Sequence, residues 1–175
     1  EYVAFAQDPE DKYLLYKEIG ACFTEIASIN QTVEECDSAI KYLNDAYFYF
    51  VKDSGYNFIF YVPSICNNLG CAFSKKATLE EANNQYSITM SIFFFNVCLR
   101  IWNIENAPEG YAMVQLNKGI SLSQQASFRD SIDLLWYALD CFENALLIYN
   151  AEQFPSQYST AKWRCGNACS HLNVK

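Results

Sequence analysis

The chain has 175 residues, a formal net charge of −8 and 51% apolar residues, with thirteen Tyr and thirteen Phe. That apolar share can offset the entropy of ordering, which excludes intrinsic disorder, and the length fits a single domain over residues 1–175. The acidic balance, with no run of Lys or Arg, argues against a nucleic-acid partner.

Neither of the most apolar windows, AYFYFVKDSGYNFIFYV and SITMSIFFFNVCLRIW, is long and uncharged enough to span a bilayer, so no membrane is expected. The eight cysteines fall below the density of a disulfide scaffold. They sit among helix-patterned apolar neighbours, which points to buried free thiols and a reducing, cytoplasmic setting. Glu1 in place of Met is read as a sign of trimming from a longer chain.

Hydrophobic period and breaker residues predict seven helices, near 9–28, 32–53, 63–76, 79–103, 108–125, 128–149 and 155–172. Four glycines set a period: Gly20, Gly70, Gly119 and Gly166, spaced by 50, 49 and 47. Pro9, Pro108 and Pro155 each lie eleven residues before their glycine, where proline can open a helix. Ala27, Ala77 and Ala126 follow theirs by seven residues, on the same helical face. Segments at Thr32, Thr78 and Ser127, each with an acid three residues on, predict capping boxes for the second helix of each pair.

IWNIENAP at 101–108 and IYNAEQFP at 148–155 are the hinges between units, with Asn150 as a left-handed stop in the second. The second unit departs from the pattern, because Pro63 lies only seven residues before Gly70. Three conformations fit there: a late helix start, a proline bend, or an extended run over Phe58 to Val62. SIFFFNVCLRIW is apolar almost all round and predicts a helix sandwiched on several sides.

A glycine-bearing first helix, an alanine seven places on and a proline after the second helix resemble the tetratricopeptide (TPR) family in its long-helix variant, most closely over 77–170. The resemblance implies an all-α, right-handed α-α superhelix of antiparallel helix pairs, with units near 9–55, 56–104 and 108–150 and a final helix at 155–172. It also implies that first helices line a concave groove through the positions flanking each glycine. Two before the glycines stand Glu18, Asn68, Asn117 and Arg164; three before stand Lys17, Asn67, Leu116 and Trp163; Asn167 follows Gly166. The partner-binding set is therefore Lys17, Asn67, Asn68, Asn117, Trp163, Arg164 and Asn167. Of the family's carboxylate-gripping positions, Lys17 and Asn68 match, whereas Ala21 and Asn117 stand where an Asn and an Arg are expected.

Chemical motifs carry less. Cys165, Cys169 and His171 are the strongest metal or thiol constellation, but no fourth ligand is visible and His171 lies nearly opposite Cys169 on the helix. Glu34–Glu35 and Glu80–Glu81 sit in predicted first turns, where acids favour the helix dipole. No glycine-rich phosphate loop occurs. The expectation is a non-enzymatic module without cofactor or metal, binding a protein or peptide partner. A regulatory segment acting on another domain of the same polypeptide, such as a protease, is the alternative.

Overall fold

The computed structural model describes residues 8–52, 56–80 and 84–173. Its helices are α1 (Pro9–Asn30), α2 (Val33–Phe50), α3 (Tyr56–Leu79), α4 (Gln85–Leu99), α5 (Pro108–Arg129), α6 (Ile132–Leu146) and α7 (Pro155–Asn173). Among the described residues there is no strand. No helix is long and apolar enough to cross a membrane. The chain forms two compact units, Glu1–Phe94 and Phe95–Lys175, with the boundary inside α4.

In the first unit α1 packs on α2 and α2 on α3; in the second α5 packs on α6 and α6 on α7. The two leading pairs are built in one register, ninety-nine residues apart. Pro9 and Pro108 each occupy the first turn of a 22-residue helix, where a missing N–H costs nothing. Each helix ends on a left-handed residue, Gln31 (φ 58°) and Asp130 (φ 48°), whose N–H returns to Ala27 and Ala126 respectively. Thr24 and Ser123 donate their hydroxyls to the carbonyls of Gly20 and Gly119 at 3.0 and 2.9 Å.

The glycines fix the pairing. A Cβ at Gly20 would lie 2.5 Å from Leu43 Cγ, and one at Gly119 would lie 2.5 Å from Phe142 Cε1. Leu43 and Phe142 are each twenty-three positions past their glycine. Only a residue without Cβ lets the second helix approach this closely. Ala39 and Ala46 in α2 and Ala138 and Ala145 in α6 are fully buried at matching positions, so small side chains continue the seam.

The hinge echo also has a structural cause. Asn103 Oδ1 accepts from the N–H groups of Glu105 and Asn106, and Asn150 Oδ1 from those of Glu152 and Gln153. The backbone carbonyls of Asn103 and Asn150 then each receive an N–H at 3.0 Å, from Ala107 and Phe154. Each Asn thus folds a turn around its own side chain. Asn150 is not the expected left-handed stop: among the described residues the positive-φ non-glycine positions are Gln31 and Asp130.

Other expectations change as well. Pro63 lies inside α3, which begins at Tyr56, so Phe58 to Val62 are helical. Capping is displaced in two places: Thr78 and Ser127 sit within α3 and α5 and donate back to Ser74 and Ser123. Ser131 caps α6 instead, accepting from Leu134 N–H at 3.4 Å. Thr32 does precede α2 but makes no side-chain cap bond. The helix of SIFFFNVCLRIW is not enclosed: Ile88, Ser91, Phe95 and Cys98 are buried while Phe93, Asn96 and Arg100 are exposed. Those buried residues lie at spacings of three and four along one face, leaving the opposite face to solvent.

Candidate functional site

Each unit opens a cleft between the first helices of successive pairs. In the first unit a pocket of about 190 Å³ is lined by Ala21, Thr24 and Glu25 of α1 and by Asn68 and Cys71 of α3. In the second a pocket of about 230 Å³ is lined from α5 by Ile120, Ser123, Gln124 and Ser127, and from α7 by Arg164, Asn167, Ala168 and His171, with Leu135 of α6 at its side. Counted from the glycines, the linings coincide. Positions one, four and five after Gly20 and Gly119 supply one wall. Positions two before and one after Gly70 and Gly166 supply the other. Helical geometry requires this, because residues three or four apart share a face.

The structure places the residues flanking the glycines in different surroundings. Asn68, Arg164 and Asn167 line the clefts. Lys17 is half-buried and pairs with Glu18 at 2.8 Å. Asn117 is half-buried and lies outside both linings, while Trp163, 59% exposed, places its ring 4.9 Å from the Arg164 guanidinium carbon. Asn67 is corrected: it is buried, with 6% exposure, and not on an open surface. The reason is angular, since one residue turns the helix by about 100° and in α3 and α5 the position three before the glycine points inward. Leu116, at the same place in α5, is 8% exposed.

The sequence reading missed Thr24, Glu25, Ser123, Gln124 and Ser127, all C-terminal to the glycine. Their signal was present in the four, five, eight spacing that continues the face of the residues flanking the glycine.

Electrostatically the clefts differ. Arg164 is half-buried, its Nε has no hydrogen-bond partner, and none of the ion pairs among the described residues includes it. Burial pulls its pKa down. Opposite, Ser123 and Ser127 spend their hydroxyl protons on helix carbonyls and present only lone pairs to the cleft. In the first unit Cys71 is pushed up to about 12 by burial, so it stays a neutral thiol and leaves Glu25 as the charged lining group.

Cys165 is half-buried and its thiol pKa is raised, chiefly by desolvation, which disfavours the thiolate needed for attack. No group of three or more His, Cys, Asp or Glu able to hold a metal occurs among the described residues. Glu34 and Glu35 lie in the first turn of α2, where Glu35 accepts from the Asn30 side chain at 3.0 Å. Glu80 accepts from Ser87 at 2.7 Å, and Glu81 lies outside the described residues. No family model, curated protein or solved structure matches the chain.

Proposed function

We propose that this protein is a non-enzymatic interaction module that holds a peptide segment or partner helix in the clefts between its first helices. The observation that carries the reading is the coincidence of the two linings: two separate units place polar side chains at the same glycine-relative positions around an open pocket. Asn68 and Asn167 offer both donors and acceptors there, which suits pairing with a peptide backbone. The same glycine seam and ninety-nine-residue register support a TPR-like right-handed superhelix as the parent architecture, in which units stack because none can cover its apolar faces alone.

The test is selection of a random displayed peptide library on the full chain, repeated with Asn68→Ala and Asn167→Ala combined. The expected result is enrichment of peptides that lose at least about tenfold in affinity for the double variant, with melting temperature unchanged. Enriched peptides that bind the variant as well as the parent would overturn the reading, as would a failure to enrich any.

A further inference from the structure

We infer that the two equivalent clefts have opposite charge preference: the α5–α7 cleft takes an anionic side chain of the ligand, carboxylate or phosphate, and the α1–α3 cleft takes a cationic one. The inference rests on reading these clefts as ligand sites. It follows from comparing them position by position. Five residues after the glycine stands Glu25 in the first unit and Gln124 in the second; two residues before the next glycine stands Asn68 in the first and Arg164 in the second. Both exchanges move charge in the same direction, removing a carboxylate and adding a guanidinium.

The α5–α7 cleft is prepared for an anion. A guanidinium withdrawn from water without a carboxylate partner retains an unspent demand for one. Arg164 has an orphaned Nε, and its guanidinium carbon stands 4.9 Å from the Trp163 ring. Stacking of this kind limits the orientations the planar fork must lose on binding. Asn167 and His171 stand exposed on the same wall as further donors. The α1–α3 cleft offers the reverse: the Glu25 carboxylate with no ion pair among the described residues and the Asn68 amide, while the spent hydroxyl of Thr24 is matched by that of Ser123 in the other cleft and leaves the charged residues to set the difference. A net charge of −8 does not oppose anion binding at one cleft, since fields from distant surface charges are screened over about 10 Å at ordinary salt.

The experiment is side-chain NMR of the isotope-labelled full chain, titrated separately with the capped amides of phosphoserine, glutamate, arginine and serine. Phosphoserine amide is expected to move the Arg164 Nε–H and Asn167 amide resonances with millimolar affinity, and serine amide is not. Arginine amide is expected to move the Asn68 amide. Arg164→Gln should weaken the anion response at least about tenfold and leave the Asn68 response intact, Arg164→Lys should keep part of it, and Glu25→Gln should abolish only the arginine response.

Response to phosphoserine alone assigns the anion to phosphate; response to glutamate as well assigns it to any acidic side chain. Either outcome supports the inference. Equal responses to serine and phosphoserine amides would overturn it, and so would an anion response untouched by Arg164→Gln. Library peptides that need Asn68 and Asn167 but show no such charge dependence would remove this inference and leave the peptide-binding reading standing.

Discussion

The α1–α2 and α5–α6 pairs share a frame and differ in what fills it. In the first pair rings seal the flanks of the glycine seam: Tyr13 stacks on Tyr49 at 4.2 Å, and Tyr42 takes Tyr16 at 5.3 Å and Phe23 at 5.9 Å. Ninety-nine residues on, those positions hold Ala112, Ile148, Cys141, Gln115 and Leu122. The opposite trade occurs at the centre, where Leu43 faces Gly20 but Phe142 faces Gly119. Volume removed from the flanks returns at the middle. Close-packed interiors demand this, because a void costs contacts and excess volume costs strain. Register is thus set by glycine and alanine, while the rings are free to move between positions.

The widest test of that contrast is truncation of the central residue. Phe142→Ala removes a fully buried ring whose neighbours are small and should cost about 3–5 kcal/mol. Leu43→Ala should cost about 2–4 kcal/mol, since a smaller side chain is removed from the same place. Denaturant melts of the two variants give the comparison. A Leu43→Ala loss larger than that of Phe142→Ala would contradict the redistribution of volume.

Smaller, and different in sign, are the effects of adding one methyl to each glycine. Gly119→Ala drives a Cβ into the rigid Phe142 ring and should destabilise by about 1–3 kcal/mol despite the gain in helix propensity. Gly20→Ala meets the movable Leu43 end, though with the Ala39 carbonyl only 3.1 Å from the added carbon, and should cost less. Gly166→Ala meets nothing within 4 Å and should stabilise by up to about 1 kcal/mol. The counterparts on α7 of the α5 residues that face α6 are Ser159, Lys162 and Cys169, all exposed. That face of α7 is exposed, so a methyl added at Gly166 meets no packed neighbour. Adding Phe142→Leu to Gly119→Ala should recover part of the loss.

Alkali should separate the units by their buried thiols. Burial pushes Cys36 to about 11 and Cys66 to about 12 in the first unit, and Cys141 to about 11 in the second. A thiol whose pKa is raised on folding keeps its proton in the native state after the unfolded chain has lost it. Its contribution is intact below about pH 9 and is lost as pH rises toward the folded value, with a slope of up to about 1.4 kcal/mol per pH unit for each thiol. Stability should fall between pH 9 and 11, and Cys66→Val should flatten the slope more than replacement of the exposed Cys22. A Cys66→Val slope equal to the parent's would remove burial as the cause.

Much of this frame was legible because it is written in residues with single uses. Proline at a first turn, glycine at a close approach and alanine seven places on have few alternatives, so α1, α2, α5, α6 and α7 were placed within about four residues of where they lie, whereas α3 and α4, which lack a proline at the first turn, begin at Tyr56 and Gln85 and not at the expected 63 and 79. The clefts were half legible: residues flanking the glycine were chosen, but Asn67 pointed inward and Glu25 and Gln124 were passed over. Amide and carboxylate side chains serve equally on a solvated face or in a pocket, and only the packed neighbours decide which. Asp130 misled for a related reason. An acid three residues after a serine suits a capping box, yet here it takes the left-handed end of α5, a conformation Asp tolerates better than most residues.

That ambiguity leaves the smallest effects, at the two caps that open the second helices. Ser131 accepts from Leu134 N–H, whereas Thr32 makes no cap bond and its hydroxyl oxygen is buried without a partner. A cap that satisfies a helix N–H is worth about 1 kcal/mol, less at a distance as long as 3.4 Å. An unsatisfied buried hydroxyl costs rather than contributes. Ser131→Ala should therefore destabilise by about 0.5 kcal/mol, and Thr32→Val, which keeps the shape and removes the orphaned oxygen, should be neutral or slightly stabilising. Measured as shifts in denaturation midpoint, equal losses at the two sites would mean that Thr32 caps α2 in solution and that the two pairs are more alike than their hydrogen bonds indicate.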